Sequence, residues 1–218
     1  MNKTRLVIFF STLCFLFFTV TSGTAADLKS IQLVKPQMDG GRLLMHVLKE
    51  RKSSRDFSEK KLPIRVLSNL FWAASGINRI GTSKRTVPST MNWQEIDIYV
   101  ATKEGLYLYD SQQHRLEPIL KQDIRALTGT QTYVADAPVN LVYVADFARM
   151  GNAVRESKDF YAAVDTGFIV QNVYLYCASE GLATIVRAMI DRVPLAQAMQ
   201  LRPEQRIILA QTVGYPRR

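Results

Sequence analysis

The chain has 218 residues, 47% of them hydrophobic and 22% charged, with a formal net charge of +9. That is enough chain for one domain of ordinary size with a substantial core. The basic balance suits an anionic ligand, nucleic acid or a membrane surface, but no basic run is interleaved with aromatics, which sets nucleic acid aside.

Residues 1–26 read as a secretory signal peptide and not as part of the fold. Lys3 and Arg5 lead, Leu6 to Val20 is an apolar run broken only by Ser and Thr, and Ser22-Gly23-Thr24-Ala25-Ala26 places cleavage after Ala25 or Ala26. The apolar run is short for a membrane span; the alternative is an uncleaved anchor. No Arg-Arg pair precedes it, and Cys14 lacks the context of a lipidated cysteine. The expectation is an exported chain, periplasmic or secreted, with residues 27–218 as its one domain and no membrane association after cleavage. Cys177 is then the only cysteine, which excludes an internal disulfide, and its apolar neighbours mark it as packing. His46 and His114 stand at no ligand spacing, so no metal is expected.

Residues 27–40 are a polar lead-in. Leu43, Leu44, Val47 and Leu48 recur at helical spacing over Arg42–Lys49. The basic run Arg51-Lys52-Ser53-Ser54-Arg55-Asp56-Phe57 follows. It can cradle a phosphate on Arg forks and Ser hydroxyls, with Phe57 as anchor, or it can be a helix end whose dipole favours cations. Pro63 opens a second helix through Ile64, Leu67, Leu70, Phe71 and Ala74, which Gly76 ends. Ile96, Ile98 and Val100 alternate as a strand, Thr102 to Gly105 turns, and Leu106–Tyr109 pairs back. A short helix is expected near Glu117–Leu127. Val139–Ala145 is apolar but for Asn140 and should be a central strand covered on both faces. Lys158–Met189 reads as a long buried helix interrupted by Asp165-Thr166-Gly167 and Gly181, with part of its cover supplied by a second subunit. Pro194–Met199 is a further helix and Ile207–Val213 a last strand, so the class is α+β.

Four clusters can carry chemistry: Arg51–Arg55, Arg85–Gln94, Ser179–Thr184 and Arg217-Arg218. None holds a nucleophile, base and orienting acid in recognisable order, and none has the glycine spacing of a nucleotide loop. What they share is hydrogen-bond donors. Donors without an acid–base pair suit a bound cofactor that does the chemistry itself.

Arg51-x-Ser53-x-Arg55-x-Phe57, Arg85-Thr86-x-Pro88-Ser89-x-x-Asn92-x-Gln94, Asp165-x-Gly167 with Gln171-Asn172-x-Tyr174-Leu175, Glu180-Gly181-Leu182 and Gly214-Tyr215-Pro216 together resemble the FMN-dependent nitroreductase family. The register holds from about Arg42 to Arg218, and the second and third pieces are most similar to its azoline (thiazole and oxazole) oxidase branch. The resemblance implies a central, mostly antiparallel sheet flanked by helices, and a homodimer with interlocked subunits and two FMN molecules at the interface. It implies an oxidoreductase working by ping-pong hydride transfer through flavin N5, to or from a small nitro, quinone-like or azoline-type substrate. The alternative is a flavin or small-ligand binding protein without turnover. By the same resemblance Arg51 and Ser53 meet the FMN phosphate and ribityl chain, and Arg55 lies at the pyrimidine edge. Pro88, Ser89 and Asn92 line the ring from the partner subunit. Glu180 and Gly181 form the turn whose amide faces N5, and Arg217 or Arg218 completes the phosphate site. Two departures stand out: the tail ends at Arg218 where relatives often continue, and Glu95-Ile96 replaces a common Pro-Trp. The bland readings are that Ser89 and Asn92 cap a turn, Tyr174 and Leu175 are core, Glu180 is a surface residue and Lys52 faces solvent.

Overall fold

A computed structural model describes residues 28–79 and 81–217. The signal peptide expected over 1–26 and the terminal Arg218 lie outside the described residues. In chain order the elements are β1 (Ile31–Gln32), α1 (Leu44–Glu50), α2 (Ile64–Ser75), β2 (Ile96–Ala101), β3 (Leu106–Asp110), β4 (Arg115–Leu120), α3 (Tyr133–Asp136), β5 (Val139–Asp146), α4 (Arg155–Glu180), β6 (Ala183–Arg187), α5 (Arg192–Ala198) and β7 (Gln205–Gly214). The strands form one antiparallel sheet in the order β1-β4-β3-β2-β5-β7-β6. The class is α+β, as expected.

β5 is an interior strand, between β2 and β7, and each of its residues is buried. Its period-two alternation assigns the two layers. Leu141, Tyr143 and Ala145 face a core built with Leu70, Phe71 and Ala74 of α2 and with Ile169, Val173 and Cys177 of α4. Val142 and Val144 face the other side, where Leu195 and Met199 pack on Ile207. Each large apolar side chain so buried contributes about 1.5–3 kcal/mol. Cys177 is free and buried, as its neighbours implied.

Two expected helices are corrected. The segment over Glu117–Leu127 is not helical at its start: Arg115–Leu120 is strand β4, and only Arg125–Thr128 turns, as a short 3-10 helix. The cause is a tight turn before it, where Asp110 Oδ1 accepts Gln112 N–H at 2.8 Å and Gln113 N–H at 3.0 Å and reverses the chain against β3. Pro118 is tolerated there because β1 pairs only with Arg115 and Leu116, leaving the outer edge beyond them open. The long helix expected to Met189 stops at Glu180. Gly181 takes φ 68°, the left-handed cap position, and Leu182 N–H closes on Cys177 O at 2.8 Å. The β-branched run Thr184-Ile185-Val186 then continues as β6 on the sheet edge. Asp165-Thr166-Gly167 does not interrupt α4, which is continuous for 26 residues.

Candidate functional site

The first wall is the segment after α1. Arg51 N–H caps that helix on Val47 O at 2.8 Å, after which the chain runs extended: Ser54 N–H donates to Thr184 O at 2.9 Å and Phe57 bridges to Pro216. Phe57 is 1% exposed, packed with Ala137, Ala183 and Ile185, its ring 5.5 Å from that of Tyr133. It is the anchor the sequence implied. With one side chain pinned, the basic residues are carried at the surface beside β6.

Tyr174 of α4 organises this wall. The Arg51 guanidinium lies 5.3 Å from its ring centroid, and Ser53 Oγ is 2.8 Å from its hydroxyl, which also accepts Val186 N–H at 3.0 Å. Tyr174 is therefore both core and part of the site. Arg51, Lys52, Ser54, Gly181, Thr184 and Pro216 line a groove of about 630 Å³. Lys52 faces solvent. Among the described residues Arg51 and Arg55 form no ion pair, whereas Arg42, Arg115, Arg125, Arg149, Arg155 and Arg202 each have an acid. Two unpaired guanidinium groups and a hydroxyl fit a phosphate-bearing ligand. Arg217 sits against the same segment but is engaged: its Nε donates to Phe57 O at 3.2 Å, and it lies 3.5 Å from Asp56 and 3.6 Å from Asp136.

Glu180 is the exposed last residue of α4, and Gly181 follows it in the left-handed turn. Gly181 lines the Arg51 groove. Glu180 instead lines a second groove of about 550 Å³ between α1, α2 and α4, with Arg42, Asn69, Trp72, Asn172 and Tyr176.

The second wall is Arg85–Gln94. It is tied to α2 by Thr86 N–H on Gly76 O at 2.9 Å, and Asn172 Nδ2 donates to Ala73 O at 2.9 Å beside it. Met91, Asn92 and Gln94 take left-handed φ values of 50°, 56° and 49°. Ser89 caps this turn, accepting Gln94 N–H at 2.7 Å, and Thr90 donates its N–H and hydroxyl to the Asp165 carboxylate at 2.8 and 3.2 Å. Pro88 and Asn92 are exposed, and Asn92 Oδ1 accepts Gln94 Nε2 at 3.1 Å. Glu95 is fully buried below the turn, where it lines a small cavity with Arg85, Ser89 and Asp165, and burial first, and then Asp165, pushes its carboxyl up to about 7. The Glu95–Asp165 contact was not singled out from the sequence. Its signal was an acid at position 165 in phase with the buried stripe Ala162, Thr166, Ile169 and Val173 of α4.

The two walls are separated within one chain. The first packs on Tyr174 and the second on Asp165, nine residues apart on the same helix, roughly 14 Å at 1.5 Å per residue. Arg51, Ser53, Arg55, Gly181 and Arg217 are brought to one end of α4, and Pro88, Ser89 and Asn92 to its middle.

An antiparallel sheet crossed by one long helix thus carries exposed, donor-rich walls, with a carboxyl pair buried beneath one of them. The chain belongs to the nitroreductase family, whose model matches residues 48–215. It is 32% identical over 152 residues to the putative nitroreductase MJ1384 of Methanocaldococcus jannaschii, covering 65% of this chain and 76% of that one. Its fold superimposes with a TM-score of 0.83 on a putative nitroreductase of Ralstonia eutropha JMP134, at 41% identity over 87% of this chain and 90% of that one. The NADPH:FMN oxidoreductase of Vibrio harveyi, solved with NAD+, shares the fold at a TM-score of 0.60 and 19% identity, with 80% and 69% covered.

Proposed function

We propose that this nitroreductase-family oxidoreductase is an exported, FMN-dependent homodimer, working by ping-pong hydride transfer to or from a small nitro, quinone-like or azoline-type substrate. The observation that carries the reading is the pair of unpaired guanidinium groups, Arg51 and Arg55, with Ser53 held between them by Tyr174. FMN supplies two-electron chemistry at its N5. Arg51 and Ser53 would hold its phosphate and ribityl chain, with Arg217 or Arg218 as the supplementary cation. Arg55 would set a fixed positive charge at the pyrimidine edge, where reduction leaves negative charge. The Glu180-Gly181 turn would offer its amide to N5, and Pro88, Ser89 and Asn92 of a second copy would cover the ring. The separation of the two walls on α4 supports that division between copies. So do the exposed apolar residues Phe160, Val164 and Phe168 of α4 and Leu43, Leu44, Met45 and Leu48 around α1, which water alone does not suit.

The test is the visible spectrum of purified mature protein and of its released cofactor. A yellow protein bleached by dithionite is expected; a colourless one that takes up no added FMN sinks the proposal. Yellow protein bleached by dithionite but by neither nicotinamide donor redirects the search to another reductant. Arg55→Gln should retain part of the binding and lower the flavin potential by roughly 30 mV, about 1.4 kcal/mol for a two-electron couple. An unchanged potential would place Arg55 away from the pyrimidine edge.

A further inference from the structure

Two carboxyl groups meet beneath the Pro88–Gln94 segment. Glu95, fully buried at the mouth of β2, faces Asp165, buried on α4. Asp165 acts as a pure acceptor, taking Thr90 N–H at 2.8 Å and the Thr90 hydroxyl at 3.2 Å. Ser89 Oγ donates to Glu95 Oε2 at 3.3 Å while accepting Gln94 N–H at 2.7 Å. The other oxygen, Glu95 Oε1, is buried with no donor at all. Two acceptors facing each other away from water are compatible when one of them carries a proton.

The surrounding charges do not remove that need. Arg85 lines the same small cavity, but it donates to Ser75 Oγ at 3.2 Å, and its Nε is itself without a partner. Arg149 pairs with Asp97 and Asp146 and gives a further donor to Gln94 O at 2.7 Å, not to Glu95.

We propose that Glu95 is a positioning residue that holds a proton against Asp165, and that this acid–carboxylate pair latches the Pro88–Gln94 segment onto α4. Release of the proton to solvent leaves two negative charges in contact and loosens the segment through Ser89 and Thr90, the two residues bonded to the pair. Burial raises the Glu95 carboxyl to about 7, so the latch is closed in mildly acidic solution and opens above neutrality. The consequence for a bound flavin rests on the function proposed above; the latch itself does not.

Hydrogen exchange of the amides of residues 89–94 in flavin-free protein, corrected for intrinsic pH dependence, tests the latch from roughly pH 5 to pH 9. Protection, that of Thr90 above all, is expected to fall about tenfold across a one-proton step centred near 7. Glu95→Gln, neutral throughout, should keep the protection and lose the step. Asp165→Asn, the second variant should the first not fold, should move the step to lower pH. A flat profile in the natural chain, or a step that survives Glu95→Gln, overturns the proposal. With FMN added, affinity should follow the same step. FMN binding indifferent to it overturns the link between latch and site. No FMN binding at any pH, with the step intact, overturns the proposed function and leaves the latch standing.

Discussion

The Tyr174 hydroxyl accepts Val186 N–H at 3.0 Å and lies 2.8 Å from Ser53 Oγ, and in one of the two donor arrangements of that pair its own hydrogen is given to Ser53. That arrangement leaves the Ser53 hydrogen free to meet a ligand. Tyr174→Phe keeps the ring under Arg51 and removes only the hydroxyl. It should weaken FMN binding by about 5–10-fold, the worth of one ordered hydrogen bond. Riboflavin, which has no phosphate, should lose less. Fluorescence titration with both flavins measures this, and an equal loss for the two would place Ser53 away from the phosphate. Glu95 carries a second prediction at this scale. Its ordinary value is 4.5, and in the fold it rises to about 7, so between those limits the folded chain holds a proton that the unfolded chain has released. Stability is therefore full below the lower value and falls as pH rises toward the upper one. Urea midpoints across this window should decline in the natural chain and flatten in Glu95→Gln; parallel curves would show that Glu95 titrates alike in both states.

Helix ends decide where the site elements fall, and two glycines set them by different means. Gly181 ends α4 because its φ of 68° is costly for most residues with a side chain, although a Cβ there would meet nothing within 4 Å. Gly76 ends α2 at an ordinary φ of −75°, but a Cβ there would lie 2.7 Å from Trp72 Cα. Gly181→Ala should cost about 1 kcal/mol through backbone strain alone. Gly76→Ala should cost more, about 1–3 kcal/mol, because backbone has to move. Chemical denaturation of both variants checks the order, and a cheaper Gly76 change would mean that α2 shifts freely at its end. The same elements show what was legible in the sequence. β5 declared itself by an apolar run buried on both faces, and α2 by its spacing between Pro63 and Gly76. β4 did not, because Glu117, Ile119 and Leu120 also suit a helix and the reversal rests on the carboxylate of Asp110. β6 was hidden in the apolar run that follows α4, where only Gly181 marks the change. Arg51–Phe57 and Arg85–Gln94 were found as motifs. The buried pair beneath the second was not, since Glu95 and Asp165 lie far apart in the chain and meet only after folding.

At the scale of the molecule, a single chain carries both walls without closing them, and it leaves an apolar stripe of α4 exposed on either side of Asp165 in sequence. Phe160, Val164 and Phe168 repeat every four residues along α4 at 63%, 37% and 42% exposure. A helix that turns three such side chains outward on one line is built to be covered. If a second copy covers this stripe and brings its Pro88–Asn92 segment to the Arg51 groove, as the proposed function requires, assembly and cofactor binding become one equilibrium. Ligand that binds only the closed dimer also stabilises it in proportion to its concentration. Val164→Glu places a charge in the middle of the stripe on the solvent side of one chain, where it disturbs no core contact. It should leave the unfolding midpoint of the isolated chain nearly unchanged while shifting the sedimentation coefficient from dimer to monomer. FMN affinity should fall with it by two orders of magnitude or more, about 3 kcal/mol at ~1.4 kcal/mol per tenfold. Analytical ultracentrifugation with absorbance of both protein and flavin follows the two together. A Val164→Glu monomer that still binds FMN tightly would mean that one chain's Arg51 groove holds the cofactor unaided, and that Pro88, Ser89 and Asn92 serve the turn and not the ring.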